Sequence, residues 1–231
     1  MCGRYSHTKS SAALTASLGL DDAIHFCPLY NLCPGQNATI VRSVAGQGPS
    51  LDQLPWGLIP FWSRPEKTPR PLINARAETA AMKPAFRGPM RYRRCLVLAD
   101  GFYEWDRRAR GSQAWRFVLE SEQGFAFAGL WDYWHAPHGG LLETFSILTT
   151  QANDLVGRVH DRMPVILDPS IWPAWLDERF QDVASLLPSL RPLSTKAMKS
   201  YPVGQWVHAS GSNDPRSILP IELPAQQGEL F

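Results

Sequence analysis

Cys2 directly follows the initiator methionine, and a residue this small at position 2 is the kind whose preceding methionine is removed during translation. Removal leaves an α-amine and a thiol on one carbon. The α-amine has a reference pKa of about 7.7–8.0, against about 10.4 for lysine, so near neutral pH it is unprotonated roughly several hundred times more often. It is a ready nucleophile for an aldehyde. Once an imine has formed, the thiol two atoms away can add to the imine carbon at an effective molarity of about 10⁵ M or more. The product is a five-membered thiazolidine, and ring closure removes the iminium that water would otherwise hydrolyse. Taken alone, Cys2 is more simply the residue that translation placed there, so other residues must carry the argument.

Three segments do so as a set. They are Pro71-Leu72-Ile73-Asn74-Ala75-Arg76-Ala77-Glu78-Thr79, Ala99-Asp100-Gly101-Phe102-Tyr103-Glu104-Trp105 and Val159-His160-Asp161-Arg162-Met163-Pro164. Singly, Asn74 reads as a turn residue, Glu104 as an exposed glutamate at a strand end and His160 as a structural histidine. Together with Met1-Cys2-Gly3-Arg4-Tyr5 they resemble the SOS-response-associated peptidase (SRAP) family. Further matches are Tyr30-Asn31-Leu32-Cys33-Pro34-Gly35, Trp56-Gly57-Leu58-Ile59-Pro60-Phe61-Trp62 and Tyr201-Pro202-Val203, so the resemblance runs from residue 1 to about 215. It implies covalent shielding of abasic sites in single-stranded DNA, single-strand/duplex junctions included, through a thiazolidine at the terminal cysteine. It also implies a β-rich α+β domain with a barrel-like core. Cys33 departs from the family pattern, in which alanine is expected.

The resemblance carries roles onto matching positions. Glu104 protonates the sugar ring oxygen and helps open it to the aldehyde, His160 moves protons between amine, imine and ring, and Asn74 orients the amine or the open sugar hydroxyl. Arg4, Arg76 and Arg162 lie within two residues of Cys2, Asn74 and His160, as expected if phosphates flank the reacting sugar. Thr149 adds a neutral donor, and Pro34 joins the DNA-contacting set. Phe61 and Trp62 stack on a base or wedge a duplex end, with core packing as the alternative. For Trp56, Trp105, Trp131 and Trp175, core packing is the expectation.

Strand scission by β-elimination from the imine is an expected side activity. Two other functions remain open: a cysteine peptidase acting on its own Met1, with Cys2 as nucleophile and His160 as base, and a non-covalent single-strand binder.

The 231 residues suffice for one domain, expected over 2–215 with a C-terminal tail at 216–231. With 44% apolar and 19% charged residues the chain is neither disordered nor membrane-embedded in type. No apolar run approaches the roughly 20 residues of a membrane span, and no secretory signal opens the chain. The expectation is a cytoplasmic monomer, nucleoid-associated when on DNA, without cofactor or metal. The four cysteines lack a paired C-x-x-C spacing, and Cys27, Cys33 and Cys95 are expected to be buried fillers. Net charge is only +2, yet residues 64–94 hold Arg64, Lys67, Arg70, Arg76, Lys83, Arg87, Arg91, Arg93 and Arg94 against Glu66 and Glu78. Collected on one sheet face these make a phosphate-attracting stripe; otherwise they are a solvated surface.

The elements that must position these residues are short, because 20 prolines and 17 glycines are spread along the chain. Strands are expected at Ala38–Val44, Arg93–Ala99, Trp115–Glu120, Gly124–Trp131, Thr144–Thr149 and Met163–Leu167. Helices are expected at Lys9–Gly19, Pro169–Glu178 and Phe180–Leu187, with a loop over Ala209–Pro215. The spacing suits curved antiparallel or mixed sheets with peripheral helices.

Overall fold

The computed structural model describes residues 2–9, 12–20, 27–44, 47–64, 70–106, 112–136 and 139–223. In chain order its strands are β1 (Tyr5–His7), β2 (Leu29–Leu32), β3 (Asn37–Val44), β4 (Gly48–Pro55), β5 (Asn74–Arg76), β6 (Arg94–Ala99), β7 (Gly101–Asp106), β8 (Gln113–Leu119), β9 (Phe125–His135), β10 (Leu141–Gln151), β11 (Arg162–Pro164) and β12 (Met198–Pro202). They form a five-stranded sheet, β12-β8-β7-β1-β2, and a seven-stranded sheet, β11-β10-β9-β6-β3-β4 with β5 on β10. The β5–β10 pair is parallel and the other strand pairs are antiparallel. The fold is therefore β-rich α+β with few, short helices. Among the described residues the strands make two sheets and no closed barrel.

Strand β6 shows why the sequence folds this way. Its run Arg94-Cys95-Leu96-Val97-Leu98-Ala99 is apolar on both faces, the mark of a strand covered on both sides. Cys95, Val97 and Ala99 point into a core shared with Tyr5, Leu32, Phe102 and Phe117 of the five-stranded sheet. Leu96 and Leu98 point the other way, against Trp172, Trp175 and Leu176. Val97, Leu96 and Leu98 each contribute about 1.5–3 kcal/mol on full burial. Trp56, Trp131 and Trp175 are buried as expected, whereas Trp105 is only half-buried, beneath the Arg4 guanidinium at 5.7 Å.

Only Asp100 separates β6 from β7, and the chain changes sheets there. Gly101 opens the new strand rather than forming a free turn, and a Cβ on it would stand 2.7 Å from Arg116 Nε. Glu104 consequently lies inside β7 at 4% exposure, not at an exposed strand end.

Several strands are invisible to local pattern. β1, β5 and β11 have three residues each, too few for a periodicity, and β4 carries Pro49 and Pro55. β9 and β10 run longer than expected because they pair with each other from Leu141 opposite His135 to Ile147 opposite Gly129. β11 is shorter than the expected Met163–Leu167 strand, Ile166 making only a bridge to Phe127.

The expected helices are broken into single turns. The first is helical over Ala12–Thr15, tightens to a 3₁₀ turn over Ala16–Leu18, and stops at Gly19 with φ 69° and its N–H on Ala16 O at 3.0 Å. Pro169–Ile171 is a 3₁₀ turn capped by Asp168, followed by the helix Trp172–Leu176, and Val183–Leu186 gives way to 3₁₀ at Leu187–Ser189. Beyond residue 215, Ser217 is fully buried and Ile221 N–H donates to Pro202 O at 3.0 Å. Residues 224–231 of the expected tail lie outside the described residues.

The basic segment does not form one stripe. Arg94 is buried and its guanidinium donates to five backbone carbonyls, those of Trp175, Met90, Arg91, Asp177 and Phe180. Arg93 pairs with Asp132 at 3.1 Å. Arg64, Arg70, Arg76, Lys83, Arg87 and Arg91 are exposed, and Lys67 lies outside the described residues. Cys33 and Cys95 are buried, but Cys27 is exposed ahead of Pro28. No helix is long and apolar enough to cross a membrane, and no group of three His, Cys, Asp or Glu side chains among the described residues could hold a metal ion.

Candidate active site

Cys2 is fully buried just ahead of β1. Strand β1 sits between β2 and β7, with Tyr5 opposite both Leu32 and Phe102. Tyr103 N–H donates to Arg4 O at 3.0 Å, extending the β1–β7 pairing towards Cys2 and drawing Glu104 alongside it. Burial first, and the Glu104 charge second, push the Cys2 thiol well above its ordinary pKa. The thiol therefore stays protonated near neutral pH, and its Sγ lies 3.8 Å from Arg4 O.

Asn74 comes from the other sheet. It opens β5 opposite Ile147, and its Nδ2 donates to Cys2 O at 2.7 Å. Its Oδ1 is buried with no hydrogen-bond partner among the described residues. One amide side chain thus ties the start of one sheet to the edge of the other, and keeps a second polar atom in reserve beside Cys2.

His160 follows the 3₁₀ turn Val156–Arg158, with its N–H on Val156 O at 2.9 Å. Val156 and Met163 on either side of it belong to the same apolar cluster as Cys2. Two groups compete for its Nδ1: Arg162 N–H donates to it at 3.0 Å, and Asp161 Oδ1 lies 3.0 Å away. The first bond requires a neutral ring and the second a proton on Nδ1.

Strand register gathers a second group. Thr149 on β10 stands opposite Arg76 on β5, and Gln151 opposite Arg162 on β11. Thr149 is fully buried with Oγ1 donating to Ala75 O at 3.4 Å. Arg162 forks onto Glu78 at 2.7 and 2.9 Å and reaches Thr149 O at 2.5 Å. These hydrogen bonds from Arg162 hold the Glu78 carboxyl below its ordinary pKa. Arg76, Glu78, Gln151, Asp161 and Arg162 line a cleft of about 590 Å³, with Arg76 exposed.

The remaining expected residues lie on separate loops. Arg4 is engaged by the protein, donating to Asn31 Oδ1 and Val207 O at 2.8 Å each and to Ser210 Oγ at 3.4 Å. Pro34 is exposed on the turn after β2, where Gly35 N–H donates to Trp56 O at 2.7 Å and Trp56 meets the Tyr5 ring at 5.2 Å. Phe61 and Trp62 are 51% and 54% exposed, which excludes core packing for both. Leu58 pairs with Leu72, so their loop is closed two residues before Asn74. Trp62, Arg64, Arg70 and Leu72 line a second cleft of about 540 Å³.

The structure therefore joins Cys2 to Asn74 by a hydrogen bond and brings the Glu104 charge to bear on Cys2, and it groups Arg76, Thr149 and Arg162 on β5, β10 and β11 with His160 against Arg162. It adds Glu78, which the sequence reading passed over. Its signal was one of two acids in a basic segment, two residues after Arg76.

Residues 1–210 match the model of the SOS response associated peptidase family, SRAP. YoqW of Bacillus subtilis (strain 168), an abasic site processing protein, is 38% identical over 223 residues, covering 94% of this chain and 99% of its own. HMCES of Gallus gallus, also named an abasic site processing protein, is 29% identical over 266 residues, covering 96% of this chain and 79% of its own. The crystal structure of a protein from Bacteroides thetaiotaomicron has a TM-score of 0.83 at 27% identity, covering 96% of this chain and all 100% of that one. A match that runs through both sheets and contains Cys2, Asn74, Glu104 and His160 places the chain in the SOS response associated peptidase (SRAP) family.

Proposed function

We propose that this protein captures abasic sites in single-stranded DNA, with Cys2 as the linking residue once Met1 has been removed. The names of YoqW and HMCES support abasic-site DNA as the substrate class. The observation that carries the chemistry is the Asn74 bond to Cys2 O at 2.7 Å, which fixes the residue bearing both nucleophiles. The freed amine adds to the ring-opened aldehyde, the resulting carbinolamine loses water, and an iminium forms. The thiol then gives up its proton as sulfur bonds to the iminium carbon, so one water is the only by-product.

Electrostatics orders these steps. In the chain that carries Met1, burial first and Glu104 second raise the thiol pKa and disfavour the thiolate. A cationic iminium beside it favours the thiolate at the moment of ring closure. The same raised pKa opposes a peptidase mechanism, which needs the thiolate as its opening nucleophile on the Met1 carbonyl. The iminium also acidifies the neighbouring sugar carbon, so slow strand scission accompanies capture. The protein acts as a cytoplasmic monomer, binding nucleoid DNA.

Intact mass spectrometry of the processed protein with abasic single-stranded DNA should show the summed mass less one water, with peptide mapping placing the remnant on Cys2. A remnant on another residue, or a chain that keeps Met1 and still forms the adduct, contradicts the proposal.

Trp62 shares a cleft with Arg64 and Arg70, and the exposed Phe61 stands next to it with its ring 6.3 Å from Tyr133, a surface suited to unpaired bases and to the open end of a duplex at a junction. Replacing both by Ala should weaken single-strand binding by about 1–3 kcal/mol per stacked base, measured by fluorescence titration at fixed salt. Unchanged affinity assigns the rings another role.

A further inference from the structure

Three of the exposed cations in the basic segment form a row. Helical turns run from Thr79 to Arg93: Lys83 N–H donates to Thr79 O at 3.0 Å, Arg87 N–H to Lys83 O at 2.8 Å, Met90 N–H to Phe86 O at 2.7 Å and Arg93 N–H to Pro89 O at 2.8 Å. Lys83, Arg87 and Arg91 recur every four residues along these turns, so they share one face, with neighbours about 5–6 Å apart. All three are exposed, while Ala80 and Met90 are buried in the core. At a rise of about 1.5 Å per residue the row is about 12 Å long.

Such a row works against the helical turns that carry it. Like charges four residues apart repel, and a solvated helix face gains by alternating its signs. No Asp or Glu lies between Glu78 and Asp100, and none of the three cations has an acidic partner among the described residues. Arg42, Arg93 and Arg116, by contrast, each meet an aspartate. Two repulsive pairs in succession, left without compensation inside the protein, suit an anion that arrives from outside.

The place of the row points to the kind of anion. Ala85, between Lys83 and Arg87, lines the cleft of about 540 Å³ together with Trp62, Arg64 and Arg70. The row therefore starts beside an exposed indole that can stack on the last base of a paired segment. Helical turns hold their charges on a fixed line, which matches the stiff, evenly charged backbone of a duplex; a single strand bends to its partner and needs no such line. At about 3.4 Å of rise per nucleotide, the row spans about three to four phosphates of one duplex strand.

We propose that Lys83, Arg87 and Arg91 form a track for one phosphate backbone of the duplex arm at a single-strand/duplex junction, beginning at the Trp62 cleft. Its use rests on the capture reading above, which brings the protein to abasic DNA; the track adds where the paired part of that DNA lies.

Fluorescence titration of the full chain with two intact probes tests the track: a single strand, and the same strand paired over one half, each across a salt series. Neutralising the row, Lys83→Gln with Arg87→Gln and Arg91→Gln, should weaken junction binding about 10- to 100-fold at about 0.1 M salt. It should also flatten the salt slope by about two to three, at about 0.9 per phosphate contact. Affinity for the single strand should stay within about twofold, as should the rate of adduct formation on an abasic single strand. Arg87→Glu alone places an acid four residues from both Lys83 and Arg91, so melting temperature should hold or rise while junction affinity falls by about tenfold. A purely structural role would move both readouts the same way.

Equal loss on the two probes overturns the duplex assignment and makes the row part of the single-strand path. No loss on either overturns it as well and leaves a solvated face. If wild type forms no adduct with abasic DNA yet prefers the intact junction through these three residues, capture fails and the track stands.

Discussion

Replacing Cys2 by Ser should leave an adduct with abasic DNA that borohydride traps but that does not survive heat and denaturant. The variant retains the α-amine, so imine formation continues. It loses the sulfur that closes the ring, and with it an effective molarity of about 10⁵ M or more. A lifetime at least about a hundredfold shorter than that of the wild-type adduct is expected, read by chasing the complex with excess aldehyde scavenger before gel analysis. Cys2→Ala should behave alike, because neither replacement supplies a nucleophile of comparable strength. An equally persistent adduct from Cys2→Ala would mean that sulfur plays no part, and no trappable species from either variant would mean that the amine plays none.

Replacing Asp100 by Ala should destabilise the fold by about 3–5 kcal/mol, the usual consequence of leaving one partner of a buried ion pair alone. Arg116 Nη2 donates to Asp100 Oδ1 at 2.9 Å and to Ser6 Oγ at 2.9 Å, and both charged residues are buried. Asp100 also accepts from Ser6 Oγ at 2.7 Å, from Thr8 N at 2.6 Å and from Lys9 N at 3.0 Å. The carboxylate at the crossing between sheets is therefore what anchors β1, the strand Cys2 precedes. Melting should drop by at least about 6 °C for a chain of this size. A double replacement, Asp100→Leu with Arg116→Met, should recover part of the loss because no charge is then left buried. Single and double variants of equal stability would contradict the pairing.

The same residue sets a pH dependence. Burial raises the Asp100 pKa, but the Arg116 charge and the hydrogen bonds from Ser6 and Thr8 outweigh it, so the folded value lies below the ordinary one. A depressed carboxyl contributes stability that is fully present above its unfolded pKa of about 3.9 and is lost as pH falls through the folded value. Wild type should lose stability more steeply than Asp100→Asn below about pH 4, and the two should run parallel from pH 5 to 7. Chemical unfolding at a series of pH values measures both.

What was legible in the sequence is what depends on a residue's own chemistry or its immediate neighbours. That Cys2 carries an amine and a thiol on one carbon once Met1 is removed follows from covalent structure alone, and the apolar run of β6 declares a strand buried on both faces before any partner is known. The order of motifs around Asn74, Glu104 and His160 likewise needs no coordinates. Charge roles were not legible, because an arginine's function is set by what it meets. Arg94 and Arg76 look alike in the chain, yet one is spent on backbone carbonyls in the interior and the other faces solvent. Glu78 finds Arg162 across 84 residues, and Ser6 finds Asp100 across 94. The short strands β1, β5 and β11 exist only because a neighbouring sheet edge accepts their hydrogen bonds, and three residues hold no period to read. Local covalent chemistry decided which atoms can react. Pairing between distant segments decided which of them are held together, buried or left open to solvent.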